Sequence, residues 1–526
     1  MYDIIIKNGT IVDGTGNRRQ RADVGIRQDQ IDAIGDLEGL EAREIIDARD
    51  MLVCPGFIDI MSHADNYWTL FQYPSAESFL SQGVTTIIGG NCGSSLAPLI
   101  SKESILAIQK WTDIRNISVQ WGTFAEFLHF LDQTPLALNF GSLVGHSTLR
   151  RGYLKDAVRP LTPTELESLL SIFAESVHAG AFGFSTGLGY AHAEVAPLEE
   201  IDAFVRTGAE LGTLYATHLR NEGKDLVGSL REAVACAKRT GARLQISHLK
   251  SKGLENWTNI TEALAVLHKA KEDGVDLAYD LYPYHVTLSV LYAYLPAWSH
   301  EGGIDSLLDN IRGKIPRKKI LAEMEHDQHN YARMRVAKAD NLGYAVGKSF
   351  SEIAASQETS LFEAVLNTLE SARGRLLVFD ESLAPDTVER LLFDDLSIVA
   401  SDDGFYDTDL VRRKSELVHP RAYGTFPKFL ELSRFTQKLT WEQAIYKITG
   451  GVAERLKLKK RGTLTPGSAA DIVLLNPDMV GSGADFKNPF QLASGIHMVF
   501  VNGVPAFSED KLTGMATGRT LRFGAS

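Results

Sequence analysis

Cysteine is scarce in this chain: among 526 residues only Cys54, Cys92 and Cys236 occur. That excludes a disulfide framework and fits a reducing, cytoplasmic setting. Basic excess is missing too, since 54 Lys and Arg face 66 Asp and Glu for a net charge of −12. No basic stripe offsets this balance, so neither nucleic acid nor an anionic membrane is expected as a partner. Long apolar runs are absent, and Met1-Tyr-Asp-Ile-Ile-Ile-Lys lacks the basic and apolar regions of a signal peptide. Repeats and low-complexity tracts are absent as well. What remains is the balance of a folded protein, 44% hydrophobic and 23% charged, and too long for one ordinary core.

The two ends read as β-structure. Asp3-Ile-Ile-Ile-Lys, the turn Asn8-Gly9 and Thr10-Ile-Val-Asp suggest a hairpin. Near the other end, Ala470-Asp-Ile-Val-Leu-Leu precedes His497-Met-Val-Phe-Val and a second Asn-Gly, Asn502-Gly503. Together they suggest one small β-sandwich completed when the chain returns from a central domain. The expected boundaries are 1–54 and 456–526 for the sandwich and 55–455 for the centre.

The centre alternates strand and helix. Strands are expected at Leu52–Ile58, Val84–Gly90, Leu138–Leu143, Ala181–Phe184, Thr213–Ala216, Arg243–Ile246, Leu277–Leu281 and Leu396–Ala400. Helices are expected over Pro163–Ser176, Gly228–Lys238 and Ile260–Glu272. Eight strands with helical crossovers is the count of an α/β TIM (β/α)8 barrel, whose chemistry gathers at the C-terminal strand ends. The stretch between the last two strands is too long for a loop and predicts a lid-like insertion, about 286–390.

Cys92, His218, His248 and Asp402 each follow one of these runs, so residues more than three hundred positions apart meet at one mouth. Cysteine and histidine suit Zn2+, and a carboxylate at the last strand can accept a proton from water. Taken singly, each His reads as a core residue, and Asp402 as a helix cap; Asp403 beside it could take that capping role. Lys250 lies two residues past a proposed ligand, and Arg421 lies soon after the last strand. Either cation suits a substrate carboxylate, and Tyr282 suits the same task or the amide oxygen. Tyr284 reads as packing. His146 is ambiguous, and His129, His268 and His326 read as structural.

Several segments carry a family resemblance. They are Pro55-Gly-Phe-Ile-Asp-Ile-Met-Ser-His63-Ala-Asp65, Gly90-Asn-Cys92-Gly, Gly145-His-Ser-Thr-Leu-Arg150, Thr217-His218-Leu-Arg-Asn-Glu222, Ser247-His248-Leu-Lys250, Ser401-Asp402 and His419-Pro-Arg421. Through them the chain resembles the amidohydrolase superfamily, and within it the N-acyl-D-amino-acid deacylases (D-aminoacylases). The resemblance implies a barrel with a composite β-sandwich and zinc on Cys92, His218 and His248; beside that zinc, position alone makes Asp402 the expected general base and Lys250, Tyr282 and Arg421 the expected substrate-binding residues. It implies hydrolysis of a small N-acyl-D-amino acid to a carboxylate and a D-amino acid. One position departs: where the family's first strand ends His-x-His, this chain has Met61 and His63. A thioether is a poor zinc ligand, so His63 with Asp402 offers only a weak second metal site. The alternatives are a dihydroorotase- or hydantoinase-like cyclic-amide hydrolase, a D-peptide hydrolase, or a non-catalytic protein that has lost its metals. The cyclic-amide enzymes use a lysine at strand four, which Gly183-Phe-Ser-Thr-Gly lacks. Oligomeric state is not legible.

Overall fold

The computed structural model describes residues 1–525 apart from 110, 113, 115, 116, 156, 302, 327, 328, 340, 341 and 415. Its centre is built from parallel strands: β1 (Phe57–Asp59), β2 (Val84–Gly89), β3 (Asn139–Ser142, resumed over Val144–Gly145) and β4 (Gly183–Gly187). They continue with β5 (Leu214–His218), β6 (Arg243–Ile246), β7 (Leu277–Leu281) and β8 (Ser397–Val399). β1, β2 and the first part of β3 form one parallel sheet, and the second part of β3 through β8 pair in sequence order in another. Beyond the strand ends Ser62 and Asp403 form a parallel bridge, with Asp402 N donating to Met61 O at 2.9 Å. The end of β8 thus meets the end of β1.

These strands are short apolar runs because both faces are covered. The helix Pro163–Ala179 illustrates how. Thr162 caps it in a reciprocal box with Glu165, proline stands in its first turn, and Gly180 stops it at φ 123°. Its buried Phe173 packs on Phe184 of β4 (ring centroids 5.3 Å apart), and Phe184 stacks on Phe204 at 4.8 Å. Each such side chain stabilises the fold by about 1.5–3 kcal/mol on burial, and Phe184→Ala would cost about 3–5 kcal/mol.

Two local expectations are corrected. Leu52–Ile58 is not one strand: Leu52–Pro55 belongs to a terminal sheet and β1 begins at Phe57. The break falls at Gly56, where a Cβ would stand 2.1 Å from Thr85 Oγ1. Asn8-Gly9 does not close a hairpin either. Tyr2–Lys7 pairs with Asp23–Arg27 and Ala42–Asp47 in a four-stranded sheet, whereas Thr10–Ile11 crosses into a seven-stranded sheet. Asn502-Gly503 is a true hairpin turn, with φ of 50° and 82° between Ile496–Val501 and Val504–Ser508. The seven-stranded sheet draws strands from both ends of the chain, and Ile6, Val24, Ile472 and Phe500 share one core beneath it.

Between β7 and β8 lies a three-stranded antiparallel sheet, Thr287–Val290, Leu376–Asp380 and Arg335–Ala339, with Leu376–Asp380 in the middle. Helices pack on it around a separate core that includes Leu291, Val336, Leu366 and Val378. Among the described residues no helix is long and apolar enough to cross a membrane.

Candidate metal centre and substrate cavity

Cys92, His218 and His248 converge. Cys92 Sγ lies 3.8 Å from His218 Nδ1 and 3.3 Å from His248 Nε2, and the two nitrogens are 3.0 Å apart. A tetrahedral ion with one thiolate and two imidazole ligands needs edges of about 3.6 Å (S to N) and about 3.3 Å (N to N). The observed triangle fits those edges to within a few tenths of an ångström. Among the described residues this is the only group of three Cys, His, Asp or Glu side chains close enough to hold one ion. Burial holds both imidazoles below their ordinary value, so they are neutral and able to ligate.

The backbone is bent to make this possible. Cys92, His248 and Asp402 adopt left-handed φ of 52°, 37° and 53°. Non-glycine residues in that region cost about 1–3 kcal/mol each, a strain that collects at functional sites. His218 needs no such bend, because it is the last residue of β5. Around Cys92 the chain passes close to its neighbours: a Cβ on Gly90 would lie 2.1 Å from Leu143 O. His248 is fixed by its own N–H, which donates to Asp280 Oδ1 at 2.7 Å, while Gln245 Nε2 holds the other oxygen at 2.8 Å. Burial pushes that carboxyl up to about 7.

Behind the two imidazoles stands Glu222. It lies 3.0 Å from His248 Nδ1 and 3.7 Å from His218 Nε2, and accepts from Lys250 Nζ at 2.7 Å and Lys252 Nζ at 2.9 Å. Burial opposes ionisation of Glu222, yet Lys250 and Lys252 outweigh it and hold the carboxyl well below the usual range. Lys250 is therefore at the cavity, as expected, but its ammonium already has a carboxylate partner.

On the other side Asp402 accepts from Arg421 Nη1 at 2.6 Å and contacts His63 Nε2 at 3.1 Å. Burial raises its pKa, but Arg421, His248 and His63 together outweigh that and keep it ionised. Neither Asp402 nor Asp403 caps a helix. Asp407 does, accepting from Leu410 N at 3.2 Å, while Asp403 takes Arg421 Nε at 3.2 Å. Arg421 is fully buried, its guanidinium 4.6 Å from the centre of the Tyr282 ring. His419 fixes its backbone, accepting from Arg421 N at 3.0 Å while bonding Val286 O at 2.9 Å. The buried Tyr282 hydroxyl has no partner among the described residues. Tyr284 packs as expected, its hydroxyl donating to Pro420 O at 3.3 Å.

His63 reaches Asp402 and, through Nδ1, Asn66 Nδ2 at 3.2 Å, but it does not join the three-ligand group. Met61 is wholly buried in an apolar cluster with Ile58, Ile88 and Ile398. His146 pairs with Glu200 at 2.8 Å and His268 with Asp394 at 2.7 Å, both outside the cavity, and His129 and His326 are exposed.

The cavity is lined by the three candidate ligands, Asp402, Arg421, Tyr282, Lys250 and Lys252. Sequence reasoning assigned no role to Glu222, Lys252 or the aromatic residues Tyr67, Trp111 and Tyr190 that complete the lining. Glu222, four residues past His218, was the one with a readable signal, a carboxylate one step behind a proposed ligand. Thr287, Leu288 and Ser289 bring the insertion into the wall.

Fold and site together define a candidate metal centre at the ends of parallel strands, and the chain belongs to the amidohydrolase family, whose model matches residues 44–507. The chain is 33% identical to a D-aminoacylase of Alcaligenes xylosoxydans xylosoxydans, covering 99% of this chain and 97% of that one. It superposes on an N-acyl-D-glutamate deacylase of Bordetella bronchiseptica with a TM-score of 0.84 and 28% identity, covering 99% of each chain. That structure holds zinc and a phosphonate inhibitor that mimics the tetrahedral intermediate. A D-aminoacylase structure concerned with one-metal activation and second-metal attenuation of a binuclear centre matches with a TM-score of 0.83 and 31% identity, over 99% of this chain and 100% of that one.

Proposed function

We propose that this protein is a zinc-dependent hydrolase of N-acyl-D-amino acids, releasing a carboxylate and a D-amino acid. The observation that carries the reading is the Cys92–His218–His248 triangle with an ionised carboxylate, Asp402, beside it in the same cavity. The donor set of one sulfur and two neutral imidazoles suits zinc. Bound there, zinc supplies a Lewis acid for the scissile carbonyl and makes a nucleophile available near neutral pH. The D-hand of the substrate is supported by the names of the full-length relatives.

The chain's own groups supply the rest. Asp402 takes a proton from the attacking water and returns it to the leaving nitrogen, so the amide is lost as a free amine. Arg421 and Tyr282 hold the substrate's α-carboxylate: the hydroxyl has no partner among the described residues and the guanidinium lies against its ring. Lys250 and Lys252 share one carboxylate, Glu222, which leaves a surplus positive charge on the cavity wall. With Met61 apolar and buried, a single metal is the working state, and His63 orients Asp402. The absence of a lysine in β4 speaks against a cyclic-amide hydrolase, and the intact triangle against a metal-free scaffold.

The same reading closes the parallel strands into a (β/α)8 barrel through the Ser62–Asp403 bridge. Residues 1–54 and 456–526 form a composite β-sandwich around the central unit 55–455, and the insertion covers about 286–390. A cytoplasmic setting is supported by three buried cysteines, none of which forms a disulfide. The test is a panel of N-acetyl-D- and N-acetyl-L-amino acids with zinc supplied, followed by released amine. Hydrolysis of D-substrates alone is expected; cleavage of L-substrates only, or of neither, would overturn the reading.

A further inference from the structure

A second chamber adjoins the metal site. It is partly open, and its apolar walls are Leu106, Ala107, Tyr292, Ile304 and Leu307. They come from two distant segments, the short helix Lys102–Ile108 and the start of the insertion. Two residues tie the chamber to the chemistry. Tyr190 lines both spaces, its ring 4.8 Å from that of His218. Ser147, also in the lining, donates its backbone N–H to Gly93 O at 2.7 Å, and Gly93 follows Cys92 directly. Ser147 Oγ and His300 Nδ1 are buried in the wall with no partner among the described residues.

Strand order fixes which part of a substrate could enter. In the six-stranded sheet β3 to β8 lie side by side in order. Ser147 follows β3 and Tyr190 follows β4, so the chamber opens at one end of the row. Tyr282 follows β7, and Arg421 follows β8 and pairs with Asp402, so the carboxylate-holding groups stand at the other end. His218 on β5 and His248 after β6 lie between them. An N-acyl-amino acid has the same order: carboxylate and α-carbon, scissile carbonyl, then acyl chain.

We infer that this chamber is an acyl subsite, built for an apolar chain longer than acetyl; this rests on the function proposed above. With the carboxylate at Arg421 and the carbonyl at the metal centre, the acyl chain runs past Tyr190 between Ala107 and Ile304. Each methylene buried there should raise kcat/KM by up to about fourfold.

The experiment compares N-acetyl, N-hexanoyl and N-octanoyl derivatives of one D-amino acid in wild type, Ile304→Trp and Ala107→Trp. The expected result is a kcat/KM that climbs with chain length in wild type, and an octanoyl-to-acetyl ratio that falls to about one or below in both variants. That ratio does not depend on how much of each preparation is folded. Acetyl substrate cleaved faster than octanoyl by wild type would overturn the acyl subsite while leaving the deacylase reading in place. A wild-type ratio retained in both variants would place the chain elsewhere and overturn it too. A parallel series varying only the D-side chain must be insensitive to Ile304→Trp; if that series responds instead, the chamber holds the side chain and the inference is wrong. If no N-acyl-D-amino acid of any length is cleaved, the functional reading fails and the subsite falls with it.

Discussion

Replacing Glu222 by glutamine should loosen the metal without touching a ligand. In the native cavity one carboxylate accepts from Lys250 at 2.7 Å and Lys252 at 2.9 Å and stands 3.0 Å from His248 Nδ1. Glutamine preserves the shape and removes the charge. Lys252 is partly exposed and can turn to solvent; Lys250, whose side chain is 7% exposed, cannot do so without leaving the cavity wall. Its bond to His248 O at 2.9 Å remains, but a buried cation stripped of its counter-charge costs about 3–5 kcal/mol, and partial rescue by the amide oxygen brings the loss to about 3 kcal/mol. The same change weakens both imidazoles as ligands, because it removes the negative charge facing their far nitrogens. Loss of such a supporting group typically lowers metal affinity about 10–100-fold. Chelator competition gives the affinity and thermal unfolding of the metal-free protein gives the stability. An affinity within twofold of wild type, together with an unchanged Tm, would refute the role given to Glu222. Adding Lys250→Met to the glutamine variant should recover part of the stability but not the affinity.

Asp402→Asn should retain zinc and lower turnover by at least about 100-fold, the usual loss with a general base; a near-wild-type rate would move the role elsewhere, His63 being the nearest group. Amidating the substrate's α-carboxylate should lower kcat/KM about ten- to a hundredfold in wild type and far less in Arg421→Ala. Strictly additive losses would remove Arg421 from the anchor. Asp59 is lifted to about 6, chiefly by burial, in spite of bonds from Ser401 and Met61. A folded value above the unfolded one, about 3.9, means its contribution is fullest below that value and is lost as pH rises through about 6. Asp59→Asn should therefore gain about 3 kcal/mol on wild type between about pH 4 and pH 8, read from urea unfolding at each pH; a pH-independent difference would contradict the burial argument.

The convergence of Cys92, His218 and His248 was legible because each follows a short apolar run, and strands of that kind end where parallel-sheet chemistry gathers. The bends at Cys92, His248 and Asp402 were not, because left-handed φ at a non-glycine residue leaves no compositional trace. Arg421 was found as a cation near the site, but not as the partner of Asp402 and Asp403, since nothing in spacing says which carboxylates a buried guanidinium will meet. Glu222 was visible in its segment, yet its meaning depends on two lysines some thirty residues on, joined only by the pairing of β5 with β6. Asn8-Gly9 shows the converse failure: a sound local turn signal was overridden because the flanking strands find better partners in two different sheets.

The most direct test of the account is a zinc titration of metal-free protein, following release of D-amino acid from an N-acyl-D-amino acid. Activity should rise linearly and saturate at one equivalent, and Cys92→Ala should show none over the same range. Saturation only at two equivalents, or no D-amino acid released at any ratio, would contradict a deacylase working on the single site of Cys92, His218 and His248.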